Sequence, residues 1–353
     1  MTALELRVGK QAAKKLAAEG WHADFFDGLL GASGGPKWLI LGQMDRVLCT
    51  ELFASRRRAL PALGSSVGSW RHALMAQPDP VAAYDRFEAA YLSQSYSSAK
   101  PEVPEITRVA NWLLRLGLGE EGDRYVAEHP WLHSHVVTAR GRGLNKKTAG
   151  PGLVSGMALA GMGNALSRRS LGLSFCRAVF KHQGADSENA LFADFQTEYV
   201  DLTEGNVFNA LMASGAIPYV FDGVTDIEGS IRGAHWDGGI LDYHFDLGKL
   251  PRDRVWLYPH FSKRVTVGWF DKFLPWRADR MARAENLVML CPSDDFLASL
   301  PFGKIPDRRD FGKMPESERV SYWRHCVSES ERLAEELQLL LTGPDPLAGA
   351  IVM

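Results

Sequence analysis

Three short segments of this 353-residue chain carry residue types suited to acyl transfer. Gly64-Ser65-Ser66-Val67-Gly68 sets a serine between glycines, after an apolar run and before a helical pattern. At a sharp strand-to-helix turn, a hydroxyl stands exposed above a sheet and can attack a carbonyl carbon. Gly31-Ala32-Ser33-Gly34-Gly35-Pro36-Lys37 comes one strand earlier, and Asp237-Gly238-Gly239 comes much later. Gly and Ser are common, so the pentapeptide alone is weak. The three segments in this order point to a serine acyl hydrolase.

A neutral serine needs a base. One solution is a histidine oriented by an acid, the other a carboxylate acting directly on the hydroxyl. Asp237 lies between Trp236 and glycines, where a tight turn could aim it at Ser66. Its ordinary pKa of about 3.9 makes it a weak base unless its surroundings are partly dry. Asp-Gly-Gly reads equally well as a plain turn. His235 and His244 flank Asp237 and could orient it, while His260 and His325 come where a triad histidine would in chain order; all four are ranked as structural. His133 and His135 share a strand face but have no third partner for a metal, so no metal site is expected.

The glycine-rich turn suits the oxyanion of a tetrahedral intermediate, where each preorganised N–H is worth about 3 kcal/mol. Gly34 and Gly35 are the donors expected there, and Pro36 has no N–H to offer. Lys37 would place positive charge near an anionic substrate group. A nucleotide phosphate loop needs Gly-Lys-Ser/Thr, whereas Pro36 and Trp38 flank this lysine.

These side chains need a scaffold. Phe25 to Leu30 reads as a buried strand entering the glycine turn, with Pro36 at a first helical position. Ile40, Met44, Val47 and Leu48 follow at helical spacing. Ala59 to Leu63 is a strand, and a helix over 67–75 follows Ser66. Strand, turn and helix thus repeat, which predicts a parallel sheet with helices on its faces. Further strands are expected at His135–Ala139, Tyr199–Leu202, Val255–Tyr258 and Leu287–Leu290. A helix is expected over Glu204–Ser214 with Thr203 as its cap, and a long one over Glu316–Leu341. Met1 to Trp21 reads as an amphipathic surface helix, and 93–104 and 300–315 as loops.

The motifs together resemble the patatin-like phospholipase family. That family pairs a Gly-Gly-Gly-x-Arg/Lys-Gly loop with a Gly-x-Ser-x-Gly elbow and a later Asp-Gly-Gly/Ala. Ala213-Ser214-Gly215-Ala216-Ile217-Pro218 is similar to its Ala-Ser-x-Ala-Ile-Pro stretch. The resemblance spans roughly Leu29 to Asp242, departing at Ser33 and Trp38, which stand where glycines are expected. It implies one α/β domain over 1–353, a three-layer α/β/α sandwich around a mainly parallel sheet. It implies a Ser66–Asp237 dyad without histidine, an oxyanion loop at Gly34 and Gly35, and Lys37 as the loop's basic residue. The substrate would be a phospholipid, lysophospholipid or related acyl ester, with no cofactor. Two alternatives stay open: an α/β-hydrolase esterase with a triad, and a catalytically degenerate lipid-binding protein.

Composition is ordinary for a globular chain, at 46% hydrophobic and 23% charged residues. A formal net charge of -2 gives no global attraction to nucleic acid. Four scattered cysteines form no Cys-x-x-Cys pair, which suggests a reducing compartment. The N-terminus lacks the pattern of a secretory signal, so a cytoplasmic location is expected. The uncharged stretch over 148–167 is too polar and glycine-broken for a membrane span. Between Glu128 and Asp186 there is no acid, while Arg140, Arg142, Lys146, Lys147, Arg168, Arg169, Arg177 and Lys181 are basic. A basic, glycine-rich insertion at about 140–185 suits peripheral contact with an anionic membrane, or equally core helices with a solvated edge.

Overall fold

The computed structural model describes residues 2–98, 100–185, 192–274, 276–277 and 284–353. Among these, eleven strands form one mixed, mostly parallel sheet flanked by helices. In chain order they are β1 (Leu4–Val8), β2 (Gly28–Gly31), β3 (Leu60–Ser65), β4 (Leu132–Gly141), β5 (Phe175–Lys181) and β6 (Thr197–Asp201). There follow β7 (Val224–Thr225), β8 (Ala234–Asp237), β9 (Trp256–Pro259), β10 (Leu287–Pro292) and β11 (Ile351–Val352). Their spatial order is β11-β1-β10-β9-β2-β3-β4-β5-β6, with β8 joined to β4 and β7 to β8. The strands β10, β9, β2, β3 and β4 run parallel to one another, as the strand–turn–helix repeat requires. Of these, β2, β9 and β10 are buried throughout their length and almost wholly apolar, the mark of a sheet covered on both faces.

One detail of pairing positions the site. The edge of β4 that pairs with β3 does so in parallel only as far as Ser65↔Val137. From the next residue the same edge pairs with β8, antiparallel, with Thr138 opposite Asp237. The two strands therefore meet tip to tip along one edge of a single strand. The residue after the tip of β3 is Ser66, and the tip of β8 is Asp237.

Several expectations are corrected. The segment over 1–21 is not one helix: Leu4, Leu6 and Val8 are buried in β1, and only Lys10–Glu19 is helical. The two-residue alternation of Leu-Glu-Leu-Arg-Val decides for strand, ahead of a helix-forming Ala/Leu run. A Cβ at Gly9, between the two, would lie 2.2 Å from the Ala284 carbonyl oxygen. The helix expected from Glu204 begins at Val207. Thr203 is not its cap: its N–H donates to Asn206 Oδ1 at 2.9 Å, while Asn206 Nδ2 donates to the Asp201 carbonyl. The long C-terminal helix is two, Glu316–Glu329 and Glu331–Thr342, broken at Ser330, whose hydroxyl donates to the Val327 carbonyl.

The basic stretch over 140–185 is not one exposed insertion. Its centre is the helix Gly150–Leu166, but its end is β5, in the body of the sheet. Arg177 is 0% exposed and pairs with Asp242 at 2.6 Å and Asp194 at 2.9 Å. Arg140 pairs with Glu198, Lys181 with Asp201, and Arg168 sits among Asp194, Asp242 and Asp271. Acids distant in sequence neutralise half of the basic residues, leaving Lys146, Lys147 and Arg169 exposed.

Candidate active site

Ser66 occupies the turn from β3 into the helix Val67–Met75. Its φ of 54° and ψ of −133° are unfavourable for a residue with a Cβ, and the surroundings must hold it there. They do so through neighbours with no room for side chains. A Cβ on Gly68 would lie 2.1 Å from the Gly31 carbonyl oxygen, so the helix can approach the end of β2 only with glycine there. Ser214, at the end of the helix Val207–Gly215, is the second clamp. Its Oγ accepts from the Ser66 N–H at 2.8 Å and donates to the Val137 carbonyl at 2.7 Å, tying the turn to β4. The same helix end takes the Asp237 N–H on the Ala216 carbonyl and the Gly238 N–H on the Ser214 carbonyl. The Ala-Ser-x-Ala-Ile-Pro stretch thus holds both tips at once.

The Ser66 hydroxyl donates to Asp237 Oδ2 at 2.9 Å, and Asp237 Oδ1 accepts from the Gly239 N–H at 2.7 Å. Both residues are buried. Burial pushes the Asp237 carboxyl up to about 6, against the Gly239 N–H and the Ser66 hydroxyl, which favour the charged form. A carboxylate so placed is ionised at neutral pH and a far better base than in water.

The glycine-rich turn lies beside the dyad. Gly35 has φ 55°, a left-handed conformation that glycine adopts without cost, and begins the 3₁₀ segment Gly35–Ile40 with Pro36 inside its first turn. Gly34, Gly35 and Lys37 line the same cavity as Ser66 and Asp237. Among the described residues, neither the Gly34 nor the Gly35 N–H donates to a protein acceptor. The two departures from the resemblance have local reasons. Ser33 donates from its hydroxyl to Ser65 Oγ at 3.0 Å, behind the turn. Trp38 is buried against Phe87 and Tyr91. Lys37 pairs loosely with Asp307 at 3.7 Å, and burial lowers its pKa.

No histidine among the described residues hydrogen-bonds to Ser66 or Asp237. His235 Nδ1 meets Thr138 Oγ1 at 2.9 Å, His244 Nδ1 accepts from the Thr266 N–H, and His260 Nδ1 faces the Ser262 carbonyl. His325 is exposed on the helix Glu316–Glu329. His133 stacks on His182 with ring centres 4.1 Å apart. Among the described residues no group of His, Cys, Asp or Glu could hold a metal ion.

The cavity has a volume of about 1070 Å³. Apolar walls come from Val154, Met157, Ile217, Val220, Ile240 and Phe270. Three further wall residues, Lys272, Phe273 and Arg308, were not singled out in the sequence. Arg308 lies in the segment read only as a loop, and nothing in its local sequence signals a site. Lys272 is solvent-accessible, yet the protein around its ammonium and the neighbouring Lys37 charge push it down to about 7.

A family model described as patatin-like phospholipase matches residues 47–244, more than half of the chain. The chain belongs to the patatin-like phospholipase family. The match includes Ser66, Ser214 and Asp237; the glycine-rich turn and the wall residues Lys272 and Arg308 lie outside it. Membership implies lipid acyl hydrolase activity. No curated protein matches the chain. Among solved structures, VipD from Legionella pneumophila is similar at 12% identity and a TM-score of 0.36, over 100% of this chain and 75% of that one. At that similarity it adds nothing to the family assignment.

Proposed function

We propose that this patatin-like protein hydrolyses carboxylic esters of phospholipids or lysophospholipids through a Ser66–Asp237 dyad. The observation that carries the reading is the 2.9 Å hydrogen bond from the Ser66 hydroxyl to a buried carboxylate. Ser66 Oγ attacks the ester carbonyl as its proton passes to Asp237. The Gly34 and Gly35 N–H groups receive the oxyanion, and collapse expels the alcohol, which takes the proton from Asp237. Water, deprotonated by the same carboxylate, then attacks the acyl-serine. The fatty acid leaves and Ser66 regains its proton.

Incubating the protein with a mixed lipid extract should release fatty acids, and a fluorophosphonate probe should label Ser66. Absence of both in folded protein would leave a lipid-binding role for the fold. The base must be unprotonated, so kcat/KM is expected to be flat above pH 6 and to fall about tenfold per unit below it. A profile that keeps falling only below pH 4 would place the base in an ordinary, wet environment.

The setting favours action at a lipid surface. No helix among the described residues is long and apolar enough to cross a membrane. The helix Gly150–Leu166 nevertheless exposes Val154, Leu159, Met162 and Leu166, the last to 91%. Trp269, Phe273 and Trp276 are exposed nearby in sequence to Lys272, and Val154, Trp269 and Phe273 also line the cavity. An apolar rim continuous with the cavity, with exposed Lys146, Lys147 and Arg169 in the same stretch, suits an anionic bilayer surface. Replacing Leu159 and Leu166 together by Glu should weaken co-sedimentation with anionic vesicles by about tenfold or more. Unchanged partition would remove this surface from membrane contact.

A further inference from the structure

Four cations and two carboxylates line the cavity: Lys37, Lys272, Arg308 and Arg309 against Asp237 and Asp307. Asp307 is engaged already, by Arg309 at 3.0 Å and Lys37 at 3.7 Å. Asp237 is bound to Ser66. Lys272 and Arg308 make no ion pair among the described residues. The Lys272 ammonium stands 3.3 Å from the centre of the Tyr243 ring, and the Arg308 guanidinium comes close enough to Gly35 that a Cβ there would lie 3.3 Å from it. Cations without a carboxylate partner at the edge of an apolar cavity favour an anion that they can share.

The backbone segments that carry both are anchored by buried neighbours. The segment bearing Lys272 is pinned by its neighbour Asp271, which is 4% exposed and accepts from the Gly268 N–H at 3.1 Å and Asn164 Nδ2 at 2.9 Å. The segment bearing Arg308 is pinned by fully buried Asp310. That carboxylate accepts from the Asp307 N–H at 2.8 Å, Trp323 Nε1 at 3.0 Å and the Lys304 ammonium. Two independent segments, neither within the family match, thus bring positive charge to the cavity that Gly34 and Gly35 also line.

We propose that Lys272 and Arg308, with Lys37, form a subsite for the phosphate group of a monoacyl phosphate amphiphile. The chain of such a molecule would lie along the apolar wall and its ester against Ser66. The inference rests on the acyl-hydrolase reading and names its substrate class. A phosphate suits three cationic donors lining one cavity better than a carboxylate does, because it offers a separate oxygen to each. The lowered pKa of Lys272 fits as well: an anion at hand returns its proton and strengthens the contact.

The test uses the full chain carrying Ser66→Ala, so that binding is read without turnover. Dodecyl phosphate, dodecyl maltoside and inorganic phosphate are titrated by calorimetry below their micelle-forming concentrations. Dodecyl phosphate is expected to bind about tenfold tighter than the maltoside, and further substitution with Lys272→Met and Arg308→Met should abolish that preference. If the combined variant does not fold, Arg308→Gln alone should reduce the ratio several-fold. Equal affinity for the two amphiphiles, or a preference that survives the substitutions, overturns the subsite. Inorganic phosphate binding as tightly as dodecyl phosphate overturns it too, since the site would then take a free anion. Failure of the wild-type protein to release fatty acids would count against the dyad alone, because this measurement does not depend on turnover.

Discussion

Asp237→Asn is expected to lower kcat/KM by about four orders of magnitude while making the protein more stable at neutral pH. The amide can fill the same space and keep its contact with the Gly239 N–H, but it cannot take a proton from Ser66. The stability gain follows from the raised pKa. In the native state the carboxyl titrates at about 6 rather than 3.8, so the folded chain holds its proton more tightly than the unfolded one. Stability contributed by that proton is complete below pH 4, declines between 4 and 6, and is gone above. A shift of that size corresponds to at most about 3 kcal/mol at pH 7.5. The asparagine variant escapes this loss. Its Tm should exceed that of the wild type by a few degrees at pH 7.5, with the gap closing at pH 4. Ser66→Ala should match it in lost turnover but give no such gain, since the buried carboxylate stays and loses a donor. Near-normal activity in Asp237→Asn would refute the dyad.

The second large effect concerns folding. Arg177→Ala should destabilise the protein by about 3–5 kcal/mol, read as a lower denaturation midpoint, and much of it should be recovered by Asp242→Asn in the same chain. Arg177 Nε and a terminal nitrogen grip Asp242 at 2.6 and 2.9 Å, and Asp194 takes a further bond. Removing the cation leaves buried Asp242 with only Arg168 among the described residues, at 3.8 Å, and half-buried Asp194 with Arg168 and Lys249. Asp242 closes the short helix Gly239–Asp242, which follows the catalytic aspartate candidate, so turnover should fall with stability. The residue was one of eight that the sequence marks as a basic stretch. A variant with normal stability and weakened vesicle binding would mean that Arg177 serves the surface after all.

What was legible follows from how local the constraint is. The parallel core strands declare themselves as apolar runs next to turn residues, and Ser66 and Asp237 as members of ordered motifs. β1 was missed because a five-residue alternation was outweighed by the helix-forming segment behind it. β5 was hidden because its Arg177 and Lys181 looked like surface charge; their acidic partners are 17 to 65 residues away in the chain. β8 is only four residues long and gains its place from β4, not from its own pattern. Lys272 and Arg308 reach the cavity through packing of Asp271 and Asp310, which no motif encodes.

The meeting of β3 and β8 on one edge of β4 sets the proposed dyad apart from the cationic wall of the cavity. The contact between Ser66 and Asp237 is set by the backbone register of three strands. On the proposed reading, the charged part of the wall that would sort one lipid from another comes from segments outside that register, around 268–273 and 304–310. Transplanting those two stretches between relatives is therefore a way to retune selectivity without disturbing the chemical step.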